Sequence, residues 1–359
     1  MPSATESDPE EPPEAVKAEL NAYKRRCAVM SENLSNLTTR KRAKRPPSTS
    51  QLGRGIPKLI DMFEKIGDLV IKSDKHDFPE PEETDVDFFD KSEEEINEIK
   101  RDRKRCNTAL QLLGRLIPNF SKKVDSSEPE ELNAFYAMLE NGSNDARSED
   151  ISKLKTAIAN WLNATHTIPN PLLDPDSRFN RGLQHDITGR LLCPIQFDWD
   201  DEEVRAKLRA CEKPYQLGTN YFLRCLYQGP CRYDDVERGF LKSALLVKTF
   251  MFIFTSPSSA KAIAIGDSDI ENTNPTIRRI TGSSKRSRRK DVASGLHMQD
   301  QVTPRSIAYA VVQLVFALTD APSWVIQYNG IDLRVLYYFV IDFFEVVLSR
   351  NEAGALLNW

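Results

Sequence analysis

Two very apolar stretches, residues 240–256 and 304–320, are separated by a hydrophilic insert that contains Lys285, Arg286, Ser287, Arg288, Arg289 and Lys290. Neither stretch can bury its surface alone, and the insert has almost nothing to bury. The pattern predicts one helical core closed around a solvated loop. It constrains architecture strongly and says nothing about chemistry.

A helical period runs through the rest of the chain. From Pro57, Leu59, Ile60, Phe63, Ile66 and Val70 form one stripe, and Lys58, Asp61, Lys65, Asp68 and Lys72 the other. Ser92 and Glu95 make a capping-box signature, followed by Ile96, Ile99, Arg103, Cys106, Leu110, Leu113 and Ile117 at three-four spacing up to Pro118. That seam lasts about three heptads and carries an arginine, so a helix packed on its own domain is favoured over a dimeric coiled coil. Ser127 and Glu130 repeat the signature before Leu132, Phe135, Tyr136 and Leu139. After Asn141-Gly142, Ile151, Leu154, Ile158, Trp161, Leu162 and Thr165 make another amphipathic face. Short helices are expected over 200–211 and from Thr219, the second stopped by Gly229-Pro230, and a long one over 238–256 capped by Asp234 and Glu237. Thr303 marks an N-cap with Pro304 at the first helical position. In the last helix Arg334, Tyr338, Asp342, Glu345 and Ser349 face out, leaving Val335, Leu336, Phe339, Val340, Phe343, Phe344 and Val347 inside. With no strand alternation and no repeat, the expected fold is all-α: an irregular helical bundle with a disordered N-terminal tail and a long mobile internal loop.

Composition sets the boundaries. Residues 1–55, rich in Glu, Pro, Ser, Lys and Arg, are expected to be a disordered acidic and basic tail. Residues 56–165 form a loosely attached helical region with an acidic linker at 74–90, and 166–177, with Pro169, Pro171 and Pro175, a linker that no helix crosses. Residues 178–359 form a C-terminal helical domain split by a mobile basic loop at about 262–301. The formal net charge of -4 hides basic clusters at 24–26, 40–45 and 285–290 and an acidic belt at 80–95. Six scattered cysteines with no Cys-x-x-Cys pair, and an acidic, proline-rich N-terminus unlike a signal peptide, point to reduced thiols. Lys248, Gln313, and Asp342 with Glu345 interrupt the apolar runs, against the roughly 20 apolar residues a bilayer requires. The expectation is a soluble intracellular protein with no membrane partner.

The strongest functional string is Arg40, Lys41, Arg42, Lys44 and Arg45, followed by Pro46-Pro47. A dense cationic run in an extended tail suits the acidic groove of a nuclear import receptor, with 24–26 as a candidate second half; a solvated charge run is the alternative. Lys285, Arg286, Arg288, Arg289 and Lys290 are candidates for non-specific nucleic-acid contact, although no aromatic residues are interleaved for base stacking. His185-Asp186 is an adjacent acid–base pair without a companion nucleophile motif, which favours a structural polar cluster over catalysis. The His and Cys spacings do not suit a metal, nucleotide-loop strings are missing, and no cofactor is expected. Ser256-Pro257 and Thr303-Pro304 fit proline-directed phosphorylation, but capping explains both.

Three blocks carry a resemblance: Arg181-Gly182-x-x-His185-Asp186-x-Thr188-Gly189-x-Leu191-Leu192-Cys193-Pro194, then Leu245-Leu246-Val247-Lys248 to Thr255-Ser256-Pro257-Ser258-Ser259, then Val302-Thr303-Pro304-x-Ser306-Ile307-Ala308-Tyr309. Over roughly 178–345 the chain resembles an uncharacterised family, a domain of unknown function abundant in mushroom-forming basidiomycete fungi. The resemblance implies a fungal protein with no assigned activity and no catalytic residues to carry over. The basic run at 285–290 departs from the family pattern. The ending at Trp359, where the family tends to continue, leads us to expect a shortened gene product. The functional expectation is a non-enzymatic nuclear interaction protein whose partners are an import receptor and, through weak contact, polyanions. The alternatives are a nucleic-acid-binding protein linked to mobile elements and an enzyme using His185 and Asp186. A masking of the basic tail by the acidic belt is a further expectation.

Overall fold

The computed structural model describes residues 47–78, 84–165, 169–219, 221–229, 235–261, 292–296, 298 and 301–345. The helices are α1 (Thr49–Gly53), α2 (Ile56–Leu59), α3 (Ile66–Asp77), α4 (Glu93–Leu116), α5 (Phe120–Ser126), α6 (Pro129–Asn163), α7 (Asp186–Leu192), α8 (Glu202–Arg209), α9 (Ala244–Phe254), α10 (Pro257–Ala260), α11 (Val292–Gly295), α12 (Pro304–Leu318) and α13 (Leu333–Glu345). A two-residue antiparallel pair, β1 (Gln327–Tyr328) and β2 (Ile331–Asp332), precedes α13. The all-α expectation holds. No helix among the described residues is long and apolar enough to cross a membrane.

The centre of the molecule is α12. Thr303 caps it, its hydroxyl accepting from the Ser306 amide while Ser306 accepts from the Thr303 amide, and every residue from Arg305 to Leu318 is buried. A helix enclosed on all sides must be surrounded by other elements, and α6, α9 and α13 supply them. Leu245 and Val315 lie in one hydrophobic cluster, with Phe343 packed against it, so the two apolar stretches and the last helix do form a common core. The cluster also takes in Met62, Ile151, Leu154 and Ile158 from the first half of the chain, and the described residues from Ser48 onward form one compact unit. A second cluster gathers Ile66 and Leu69 of α3, Cys106, Ala109 and Leu113 of α4, and Phe135 and Leu139 of α6. The heptad-like seam of α4 is therefore filled from within the chain.

Several sequence expectations are corrected, each for a local reason. The stripe from Pro57 is not one helix. Asp61 Oδ1 accepts from the Phe63 and Glu64 amides at 2.8 Å each and interrupts it before α3. Ser127 does not start α6 but ends α5 as its C-cap residue, its amide donating to the Lys123 carbonyl; Glu128 is the N-cap residue of α6, with Pro129 at the first helical position. Asn141-Gly142 does not end a helix, because α6 runs unbroken over 35 residues. Gly142 is there for proximity, since a Cβ would strike the Ser50 carbonyl of α1, just as one on Gly53 would strike Leu139. The helix expected over 238–256 begins later, at Ala244, since Gly239 and Leu241 take positive φ of 78° and 59° and Ser243 is the cap. The expected tail is shorter at its inner end, for α1 packs on α6. Within the expected loop, Met298 is buried and a Cβ on Gly55 would contact Leu296. The stretch 84–90 is folded, with Asp85 and Phe88 buried, and Leu173 anchors the proline-rich stretch.

In α13 the buried residues are Leu333, Leu336, Tyr337, Val340, Ile341 and Phe344, whereas Val335 is exposed. The polar stripe of Tyr338 and Asp342 faces charged partners on other elements rather than open solvent: Tyr338 meets Asp61 and Asp342 meets Arg105. Replacing Gly142 with valine is expected to push α1 off α6 and cost about 1–3 kcal/mol. Denaturant unfolding together with faster amide exchange at 49–53 would register it; unchanged protection there would contradict the close approach.

Candidate functional site

The sequence-predicted import residues Arg40, Lys41, Arg42, Lys44 and Arg45, and the polyanion residues Lys285, Arg286, Arg288, Arg289 and Lys290, lie outside the described residues. The His185-Asp186 pair is well placed to be judged. His185 is the N-cap residue of α7 and is buried. Its Nε2 lies 2.8 Å from the Pro171 carbonyl, which only accepts, and its Nδ1 accepts from the Ile187 amide at 3.2 Å. Both ring nitrogens are thus in use, with the proton on Nε2. Asp186 turns outward to Arg209 at 2.5 Å. The two neighbours serve different contacts, as a structural polar cluster requires.

The whole surrounding block is a clamp. Arg181, 1% exposed, donates to the carbonyls of Lys155 (2.9 Å), Ala317 (3.3 Å) and Asp174 (2.8 Å). Gly182 takes a φ of 67° where a Cβ would press on Asp320, and Thr188 donates to its carbonyl at 2.7 Å. Arg181 thereby ties the proline-rich stretch, α6 and α12 together. Beside it, Lys155 donates to the Ala321 carbonyl at 3.3 Å with its ammonium 4.4 Å from the Phe316 ring centre. Burial, then Arg178 and Arg181, push its pKa down to about 7.

A second convergence joins residues far apart in sequence. Arg305, on α12, donates to the Ile60 carbonyl and, at 3.0 Å, to the Arg105 carbonyl, with Asp61 3.6 Å away; Arg305 and Asp61 are both buried. Asp61 also receives the Tyr338 hydroxyl at 3.3 Å. Arg105 binds Asp342 through Nε (3.0 Å) and Nη2 (2.8 Å) and lies 4.9 Å from the Tyr338 ring centre. One turn after Arg305, Tyr309 donates to Asp150 at 2.8 Å, and Lys58 pairs with the same carboxylate at 2.5 Å. Burial, followed by the Asp61 and Glu64 charges, holds the Tyr338 hydroxyl well above the usual phenol range. Burial likewise raises Glu64, against the pull of Lys72. Glu64, Lys72, Arg105 and Tyr338, with Asp102 and Arg103, line a charged cleft of about 650 Å³. A more apolar cavity of about 370 Å³ is lined by Arg305 together with Leu59, Leu112, Leu116, Leu296, Met298 and Glu345. Burial raises the Glu345 carboxyl above its ordinary value.

None of this junction was signalled by a motif. Arg305 stands at the start of an apolar run, between Pro304 and Ser306, and a single arginine there was its one trace. Among the described residues no group of three His, Cys, Asp or Glu side chains is placed to hold a metal ion. On α3, at its C-cap and in the turns before α4, four large apolar side chains face solvent: Ile71, Phe78, Val86 and Phe89, the last three at 80–82% exposure.

Residues 141–359 match a family of unknown function, DUF6698, which extends the resemblance over 178–345 in both directions. No curated protein and no solved structure matches the chain.

Proposed function

Because the chain belongs to this family of unknown function, its activity must be argued from its own residues, and we propose a non-enzymatic nuclear interaction protein of fungal origin. The observation that carries the reading is how the polar side chains of the Arg181–Pro194 block are employed. Arg181 serves three carbonyls, His185 uses both ring nitrogens to fix α7, and Asp186 answers Arg209. A general base must have a ring nitrogen available to the reacting proton, and here both are committed to holding backbone. Invested in this way, the block is scaffold. The interactions are assigned to the cationic runs: Arg40, Lys41, Arg42, Lys44 and Arg45 address an import receptor, and the five cations of 285–290 add non-specific polyanion contact.

Changing Arg40, Lys41, Arg42, Lys44 and Arg45 to alanine in a tagged full-length chain should abolish its nuclear accumulation. Unchanged accumulation would remove the import reading. Neutralising 285–290 should flatten the salt dependence of any DNA or RNA binding, by about one log–log unit for each phosphate no longer neutralised. Sequence-selective binding that survives the change would favour the nucleic-acid-binding alternative.

A further inference from the structure

We propose that the exposed apolar ledge of Ile71, Phe78, Val86 and Phe89 is a docking surface for a basic amphipathic helix of a partner protein. The inference deepens the interaction-protein reading and rests on it only for the partner being a protein.

Ile71 and Phe78 share one face of α3, and the Lys75–Asp87 ion pair brings the segment that carries Val86 and Phe89 alongside that helix. Ile71, Lys75 and Phe78 follow one another at helical spacing along α3 and its C-cap. Lys75 reaches Asp87 at 2.6 Å, which fixes the backbone next to Val86, itself at the lip of the charged cleft. Arg103 of α4 holds Asp85 at 2.7 Å and Asp87 at 2.5 Å and lies 4.8 Å from the Phe88 ring centre. One turn on, Asn107 donates to Asp77 at 2.6 Å, next to Phe78. The ends of the ledge are therefore tied to successive turns of one rigid helix, about 5–6 Å apart along its axis. Phe88 points in and is buried, while its neighbour Phe89 points out at 80% exposure. Isolated surface leucines or valines need no explanation, but two phenylalanines and a valine held out by a buried ion-pair cluster do.

Charge selects the occupant. Residues 74–98 contain twelve Asp and Glu against two Lys. Asp85 and Asp87 are taken up by Arg103 and Lys75, while Asp74, on α3 between Ile71 and Phe78, and Asp90, Glu93 and Glu94, which follow Phe89 in the chain, are exposed. An apolar strip rimmed by carboxylates complements a helix with aliphatic residues on one face and Lys or Arg beside them. A polyanion or an acidic membrane would be repelled.

The test uses the full-length chain and a fluorescent synthetic peptide of about 18 residues, leucines on one helical face and lysines on the other, long enough at about 1.5 Å per residue to cover the ledge. Saturable binding is expected, weakened about tenfold or more by Phe78→Ser with Phe89→Ser and by scrambling the leucines. Since both phenylalanines are about four-fifths exposed, the variant should keep its denaturation midpoint, so a fall in binding will not reflect unfolding. Equal binding by the double variant, or by the scrambled peptide, would overturn the proposal. So would light scattering that shows a dimer broken in the double variant, for the ledge would then serve a second copy. Failure of nuclear import after the Arg40–Arg45 changes is read separately and leaves this outcome untouched.

Discussion

Replacing Arg305 with methionine is expected to cost the folded unit about 3–5 kcal/mol, a large share of the stability of any domain. The guanidinium is 2% exposed and satisfies two backbone carbonyls besides facing Asp61. Methionine fills much of the volume but leaves the buried Asp61 carboxylate without its counter-charge and removes the guanidinium from two backbone carbonyls. Urea unfolding should show a lower midpoint with an unchanged slope. Adding Asp61→Asn removes the stranded charge, and the double variant should recover part of the loss. A loss under about 1 kcal/mol in the single variant would show that apolar packing, not this arginine, joins α2 and α4 to α12.

Lys155→Met should act in the opposite direction. With its pKa pushed down to about 7 from 10.5, Lys155 is a group that the unfolded chain protonates more readily than the folded one. Between those two values the unfolded state holds the extra proton, so this residue makes stability rise with pH; below pH 7 both states are protonated and the deficit is constant. The methionine variant should be more stable at pH 6–7 by on the order of 2–4 kcal/mol, after allowance for the missing Ala321 hydrogen bond and Phe316 ring contact. Its advantage should shrink above pH 7 by at most about 1.4 kcal/mol per unit. The buried thiols of Cys106 and Cys193, pushed up by burial to about 12 and about 11, oppose the trend above the ordinary thiol range. They do so in both proteins and cancel in the difference. A pH-independent difference would mean that Lys155 stays charged throughout.

What the sequence made legible was whatever is decided within a few residues. Ser92 with Glu95, and Thr303 ahead of Pro304, are caps in the sequence and in the structure because each signal lies within one turn. The buried character of α12 followed from a run with almost no polar residue. Signals with two physical origins misled. Gly142 fits a helix end as well as a close approach, and only α1 on the opposite side decides between them. Tyr338 and Asp342 have the spacing of a wet face, yet their partners, Asp61 and Arg105, lie more than two hundred residues upstream. The charged junction around Arg305 was illegible for the same reason: no local pattern tells an arginine which carbonyls it will find.

The family match begins at residue 141, inside a helix that starts at Pro129. The inherited segment and the physical body consequently have different edges. A fragment beginning at 141 would sever α6 and discard Lys58, Asp61 and Arg105, leaving Tyr309, Arg305 and Asp342 to face water or a stranger. Any shorter relative that folds must have found its own substitute for those three, by mutation or by recruiting another molecule to the vacated flank.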